Sequence, residues 1–196
     1  MPKIVDHAER RRELGEAVWR VIGRSGIEHA SVRAVAAEAG WSAGALRHYF
    51  DSQDQLVAFA MDLVAEQVRR RVGAGPPHTE WRDQVLWILD QFIPTDQEKR
   101  TENAIWFAFS ARAGTDPALR KRRAAVHDEL RAAIARIFAD LSELGVLRAG
   151  VDPAVETDRL HALVDGLCVH ALVHPKQLTA ARMRAALATH IDSLTS

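Results

Sequence analysis

Apolar residues recur at steps of three and four along most of the chain and nowhere alternate with the period of two expected of a half-buried strand. Packed helices are therefore the expected architecture. The clearest run lies between Pro117 and Leu144, where Val126, Leu130, Ile134, Ile137, Leu141 and Leu144 draw one stripe along a single helical face. Short groups of Gly, Pro, Ser and Asp separate such runs, and the spacing predicts helices over 6–25, 32–39, 43–50, 53–73, 78–92, 98–113, 117–145, 154–173 and 178–194. Ser31 and Ser42 stand where helix N-caps belong, and Gly26 and Gly40 where C-terminal glycines belong. Thr115-Asp116-Pro117 and Asp152-Pro153 each place a proline at a first helical position, and Gly73-Ala74-Gly75-Pro76-Pro77 parts two helices.

With 196 residues, 47% of them hydrophobic and 27% charged, the chain can bury a sizeable core. Its one cysteine, Cys168, has no intramolecular partner, and the polar start MPKIVDHAERRRELGEA does not resemble a secretion signal, so a reducing cytoplasm is expected. No window reaches the ~18 apolar residues of a membrane span. Charge is balanced, 26 Lys and Arg against 26 Asp and Glu, which argues against binding a polyanion through bulk charge. A nucleic-acid surface would have to be local. The first fifty residues carry eight Lys or Arg against six Asp or Glu, a mild local excess. The run Arg120-Lys121-Arg122-Arg123 reads as a solvated helix start and is assigned no site.

Residues 31–50 read SVRAVAAEAGWSAGALRHYF. Two helices crossing at a tight angle need a small residue at the crossing, a glycine in the turn that accepts positive φ, and apolar side chains to fix the angle. Ala36 and Gly40 meet the first two needs, and Val35, Ala39, Leu46 and Phe50 the third. The second helix is short and rich in small residues, so its N-terminal backbone can come close to a groove or a phosphate.

The stretch SVRAVAAEAGWSAGALRHYFDSQDQL, Ser31 to Leu56, resembles the N-terminal signature of the TetR/AcrR family of transcriptional regulators. The resemblance implies an all-α protein of about nine helices. A helix-turn-helix DNA-binding domain would occupy residues 1–51 and a ligand-binding and dimerisation domain residues 52–196. It puts Ser31 and Arg33 near phosphates, and Ser42, Ala43, Gly44, Ala45, Arg47 and His48 on the groove side of a recognition helix. Tyr49 matches a phosphate-contacting position. Arg47 is the candidate for base reading, since a guanidinium can donate two hydrogen bonds to guanine O6 and N7. Three positions depart from the pattern: Arg47 where tyrosine is common, Trp41 where a small aliphatic is usual, and Gln53 in place of a phosphate-binding lysine. Gln53 can donate a hydrogen bond without the charge, and Trp41 is expected to pack beside the turn.

The same resemblance implies a homodimer built by the last two helices, a palindromic operator in double-stranded DNA with half-sites about 34–36 Å apart, and release of that DNA by a small-molecule effector. For the dimer face the candidates are Leu160, Leu163, Val164, Leu167, Ala171 and Leu172, with Gly166 allowing close approach, and Met183, Leu187, Ile191 and Leu194 opposite. Ordinary intrachain core is an equal reading for each of them. For the effector pocket the candidates are Trp81, Trp87, Trp106, Phe109 and Phe138, with Phe92 and Phe107 nearby; Trp106 and Phe109, one turn apart, lead. A mostly apolar, aromatic pocket would suit a hydrophobic or cationic effector. His161, Asp165 and Cys168 have helical ligand spacing, as do His170 and His174, but they read as satisfied buried polar groups or surface histidines, and no metal or cofactor is assigned. No nucleophile elbow, phosphate loop, HExxH or dinucleotide fingerprint is present, so an enzyme is not expected. An all-helical enzyme or a protein-interaction module remains the alternative.

Overall fold

The structure is a computed structural model, which describes residues 7–47, 49–50, 52–75, 80–114 and 116–195. Helices run over α1 His7–Ser25, α2 Val32–Ala39, α3 Ala43–Arg47, α4 Gln53–Ala74, α5 Trp81–Asp90, α6 Gln97–Arg112, α7 Pro117–Glu143, α8 Pro153–Val173 and α9 Ala180–Leu194. Among the described residues there is no sheet, only an isolated bridge between Leu147 and Thr195.

Local chemistry sets most of the ends. The Ser31 hydroxyl accepts from the Ala34 amide at 3.1 Å, and that of Ser42 accepts from Ala45 at 3.1 Å. Asp116 and Asp152 cap α7 and α8 ahead of Pro117 and Pro153, accepting from Ala118 at 2.7 Å and from Ala154 at 2.9 Å. Between α2 and α3 the chain reverses on Gly40, whose φ of 70° is left-handed. The Gly40 amide donates to Ala37 (3.3 Å) and that of Trp41 to Ala36 (2.9 Å), a Schellman pair that ends α2 within one turn. A 3-10 turn, Ile27–His29, links α1 to α2 and was not expected from the pattern; its buried Ile27 plugs the junction.

Two apolar cores form. The first gathers α1, α2, α3, the N-terminal half of α4, the end of α6 and Leu119 of α7; the second gathers α5, the C-terminal half of α7, α8 and α9. Leu56, Val57, Phe59 and Met61 belong to the first core together with Leu14, Val18, Val35, Leu46 and Phe50. The core around the first three helices therefore continues past residue 51 and closes only with α4 and α6.

The stripe on α7 divides. Ile134, Ile137 and Leu141 are buried in the second core, and Val126 and Leu130 are half-buried, whereas Leu144 is 59% exposed. Leu144 follows the last helical residue, and a second Schellman pair, Gly145 amide to Ser142 (3.0 Å) and Val146 amide to Leu141 (3.2 Å), turns the chain there. Val146 and Leu147 pack on the second core in its place.

Phe138 is fully buried at the centre of that core. Phe138→Ala should cost about 3–5 kcal/mol in denaturant unfolding at fixed protein concentration, whereas Leu144→Ala should change stability by less than about 0.5 kcal/mol.

Candidate nucleic-acid interface and cavity

α3 is only five residues long and buries one of them, Leu46, against the first core. Ser42, Ala43, Gly44, Ala45 and Arg47 are exposed on the opposite side, so the small residues and the guanidinium share one open surface. A Cβ added at Gly44 would meet nothing closer than the Ser42 hydroxyl at 4.0 Å. Ser31 and Arg33 are exposed at the start of α2 beside it. Arg33 and Arg47 have no ion-pair partner among the described residues, whereas Arg20 and Arg24 of α1 both close on Glu38 of α2, at 2.8 and 2.9 Å. Those two hydrogen bonds hold the Glu38 carboxyl below the usual carboxylate range and pin α2 across α1. His48, also expected on this surface, lies outside the described residues.

Trp41 lies half-buried against the first core beside the turn, with Tyr49 tilted against it at 5.6 Å between ring centroids. The Arg10 guanidinium sits 5.5 Å from the centre of the Trp41 ring. Arg10 was absent from the expected site, because an N-terminal helix gives no local signal of what it packs against. Gln53 differs from its expected role. Its side-chain amide donates inward to the Ala30 carbonyl at 3.3 Å, tying the start of α4 to the loop before α2. A neutral amide can settle against a backbone carbonyl at little cost, whereas a lysine ammonium would favour solvent or a phosphate.

A cavity of about 400 Å3 lies between the two cores. α4 lines it with Met61, Val64, Ala65, Val68 and Val72; α6 with Lys99, Glu102, Asn103 and Trp106; α7 with Val126, His127, Leu130 and Ala133; α8 with His161, Val164, Asp165 and Cys168. Of the five leading aromatic candidates only Trp106 reaches it, and of the two named beside them Phe92 does. Phe109 meets the Trp106 ring at 6.4 Å between centroids but is buried in the first core. Phe138 is buried in the second core, Trp81 packs on that core, and Trp87 covers Gly75, leaving no room there for a Cβ. The sequence reading also missed the buried polar wall. Its signal was present in Lys99, Glu102, Asn103 and Trp106, which share a helical face and mix charge with an aromatic.

The charges on that wall are largely committed. Glu102 takes both terminal nitrogens of Arg71, Nη2 at 2.7 Å, and Arg71 also donates to the Gln91 carbonyl at 3.3 Å. Lys99 donates to Asp90 at 2.7 Å, and Arg184 of α9 donates to the same carboxylate at 2.7 Å. Burial would raise the Asp90 pKa, but those two hydrogen bonds outweigh it and hold the carboxyl below its ordinary value. Burial also drives the His161 pKa down, with the Asp165 carboxylate 3.9 Å away opposing it, and pushes the Cys168 thiol up to about 12. His161, Asp165 and Cys168 thus share the cavity wall, but the Cys168 thiol donates to the Phe92 carbonyl at 3.3 Å. Among the described residues no three His, Cys, Asp or Glu side chains converge as metal ligands. The His170 and His174 rings stand 6.3 Å apart.

The candidate dimer residues mostly face the other way. Leu160, Val164, Leu167, Leu187 and Ile191 are buried in the second core, as are Met183 and Leu194, while Leu163 and Ala171 are half-buried. α8 is apolar on two faces, and spacing alone does not say which one the chain itself covers. The uncovered face carries Val155, Ala162, Val169, Leu172 and Val173.

Residues 16–60 match the model described as bacterial regulatory proteins of the tetR family, and residues 81–196 match the BetI-type transcriptional repressor C-terminal model. The chain belongs to the TetR family of transcriptional regulators. It is 40% identical to the HTH-type transcriptional regulator PksA of Bacillus subtilis (strain 168) over 195 residues, covering 99% of this chain and 94% of that one. A transcriptional regulator from Rhodococcus sp. Rha1 superposes with a TM-score of 0.77 at 27% identity, over 94% of this chain and 95% of that one. The multidrug binding protein EbrR complexed with ethidium does so with a TM-score of 0.65 at 25% identity, over 92% and 98%. No described helix is long and apolar enough to cross a membrane.

The raised pKa makes the Cys168 thiol inert. Iodoacetamide at pH 8 should alkylate it at least about a hundredfold more slowly in the folded protein than in urea, as read by mass spectrometry.

Proposed function

We propose that the chain is a cytoplasmic homodimeric repressor that holds a palindromic operator with two copies of α3 and releases it when a small molecule fills the cavity. The exposed face of α3, backed only by Leu46, carries this reading. A helix that buries one side chain and shows small residues and one guanidinium to solvent fits a major groove better than it fits a protein core. Arg47 reads a base, while Ser31, Arg33, the α3 N-terminus and Tyr49 hold phosphates. The inward turn of Gln53 removes one expected phosphate contact, and Arg10 beside Trp41 supplies a cation nearby. The apolar face of α8, Val155 to Val173, is the surface for the second copy.

The ligand complex of the EbrR relative supports a small-molecule effector. Such a ligand releases DNA only by favouring a conformation that fits the operator less well. α6 is the element that can carry this effect. Trp106 and Asn103 line the cavity, and six residues beyond Trp106 the guanidinium of Arg112 pairs with Asp54 at 3.1 Å and Glu28 at 3.8 Å, at the base of the reading helices.

In mobility-shift titrations on the DNA upstream of its own gene, Arg47→Ala should weaken binding by about 1–3 kcal/mol with an unchanged melting temperature. Gly44→Leu, which the free protein has room for, should weaken it at least tenfold. An unshifted probe at every salt concentration with the native protein would refute DNA binding.

A further inference from the structure

We infer that the cavity takes a protonated amine on an apolar body, its N–H groups donated to Asp165, His161 and Asn103. This rests on reading the cavity as the effector site and adds the chemical class of the effector.

The charge inventory excludes the opposite class. Among the described residues the cations at the wall are committed: Arg69 to Glu129 at 2.8 Å, Lys99 to Asp90 at 2.7 Å, and Arg71, just behind, to Glu102. A carboxylate or phosphate entering the cavity would lose its water and meet no uncommitted Lys or Arg there. The acceptors are in the opposite condition. Asp165, whose side chain is half exposed at the cavity, has an imidazole at 3.9 Å and no Lys or Arg ion pair among the described residues. His161 is only 5% exposed, lines the cavity, and makes no hydrogen bond among the described residues; its ring lies tilted against that of His127, 4.4 Å between centroids. Burial lowers the His161 pKa and so favours the neutral ring, in which one nitrogen accepts. One N–H of the Asn103 amide donates to the Cys168 carbonyl at 3.0 Å, and its oxygen, which makes no hydrogen bond among the described residues, is an acceptor.

Three acceptors on α6 and α8 therefore sit on a wall that also carries the apolar Val64, Val68, Trp106 and Leu130 and the ion-paired Lys99 and Glu102. An ammonium with N–H groups completes these acceptors and balances the Asp165 charge, while its carbon body displaces water from the apolar side. A quaternary ammonium would balance the charge but leave the acceptors without donors.

The test is calorimetric titration of the full-length protein at neutral pH with phenylbutylamine, its trimethylammonium analogue, phenylbutanol and phenylbutyrate. The amine should bind at least about tenfold tighter than the alcohol, the trimethylammonium should fall between them, and the carboxylate should bind most weakly. Asp165→Asn should bring the amine to the level of the alcohol while leaving the alcohol's affinity unchanged, which also shows that the variant is folded. Ala65→Phe, which fills the cavity, should abolish binding of all four. A carboxylate as tight as the amine, or an amine preference that survives Asp165→Asn, would overturn the inference; a trimethylammonium as tight as the amine would overturn its N–H requirement. If alcohol and carboxylate bind in the cavity without an amine preference, the effector reading stands and this inference alone falls. If none of the four binds, both fall.

Discussion

The arrangement depends on α4 being one unbroken helix with two different partners along its length. Its first half, Leu56 to Met61, completes the core beneath the helix-turn-helix, and its second half, Ala65 to Val72, forms a wall of the cavity. A helix of 22 residues is about 33 Å long, so the reading surface and the cavity are joined by a rigid strut rather than a linker. α6 runs against the same strut and repeats the arrangement, with Trp106 at the cavity and Phe109 and Ala113 in the first core. A change in cavity volume displaces side chains that share helices with the base of the reading head. Close-packed interiors transmit such displacements rather than absorb them.

Buried polar groups distinguish the second half of the chain from a plain helical bundle. Arg71 with Glu102, and Lys99 and Arg184 with Asp90, are ion pairs drawn from different helices. Pairs of this kind add little net stability, because desolvation offsets most of the attraction. Their effect is geometric. They tie α4 to α6 and α5 to α6 and α9, and leave the remaining cavity acceptors, on α6 and α8, without protein donors among the described residues. With no net charge on the chain, bulk attraction to DNA is small, so the proposed dimer would draw its affinity from a few placed groups and from two copies of α3 acting together.

The sequence was most legible where an interaction closes within a few residues. Ser31, Ser42 and Gly40 each act through hydrogen bonds spanning three to five positions, and each stands where the pattern put it. Beyond α3 the chain has left the helix by Tyr49, short of the expected end, with the Tyr49 amide donating to Leu46 at 2.9 Å and its ring tilted against Trp41. Where two faces of one helix are both apolar, spacing carries no information on which is covered by the chain. α8 shows this: Leu160, Val164 and Leu167 face inward, and Val169, Leu172 and Val173 outward. The aromatic residues led to the cavity only in part, through Trp106 and Phe92, for a related reason. Large rings such as Phe109 and Phe138 fill cores first, and the cavity is walled instead by valines and by polar side chains whose burial is a tertiary property.

The central claim is that operator and cavity ligand compete through one conformational equilibrium. It is tested most directly by measuring the affinity of one cavity-binding amine for the free protein and for the protein saturated with operator DNA. Linkage requires the operator to weaken amine binding by the same factor by which the amine weakens operator binding, with a typical coupling of about 5–150-fold. Equal amine affinity for the free and the DNA-bound protein would show that the two sites are independent and would contradict the account.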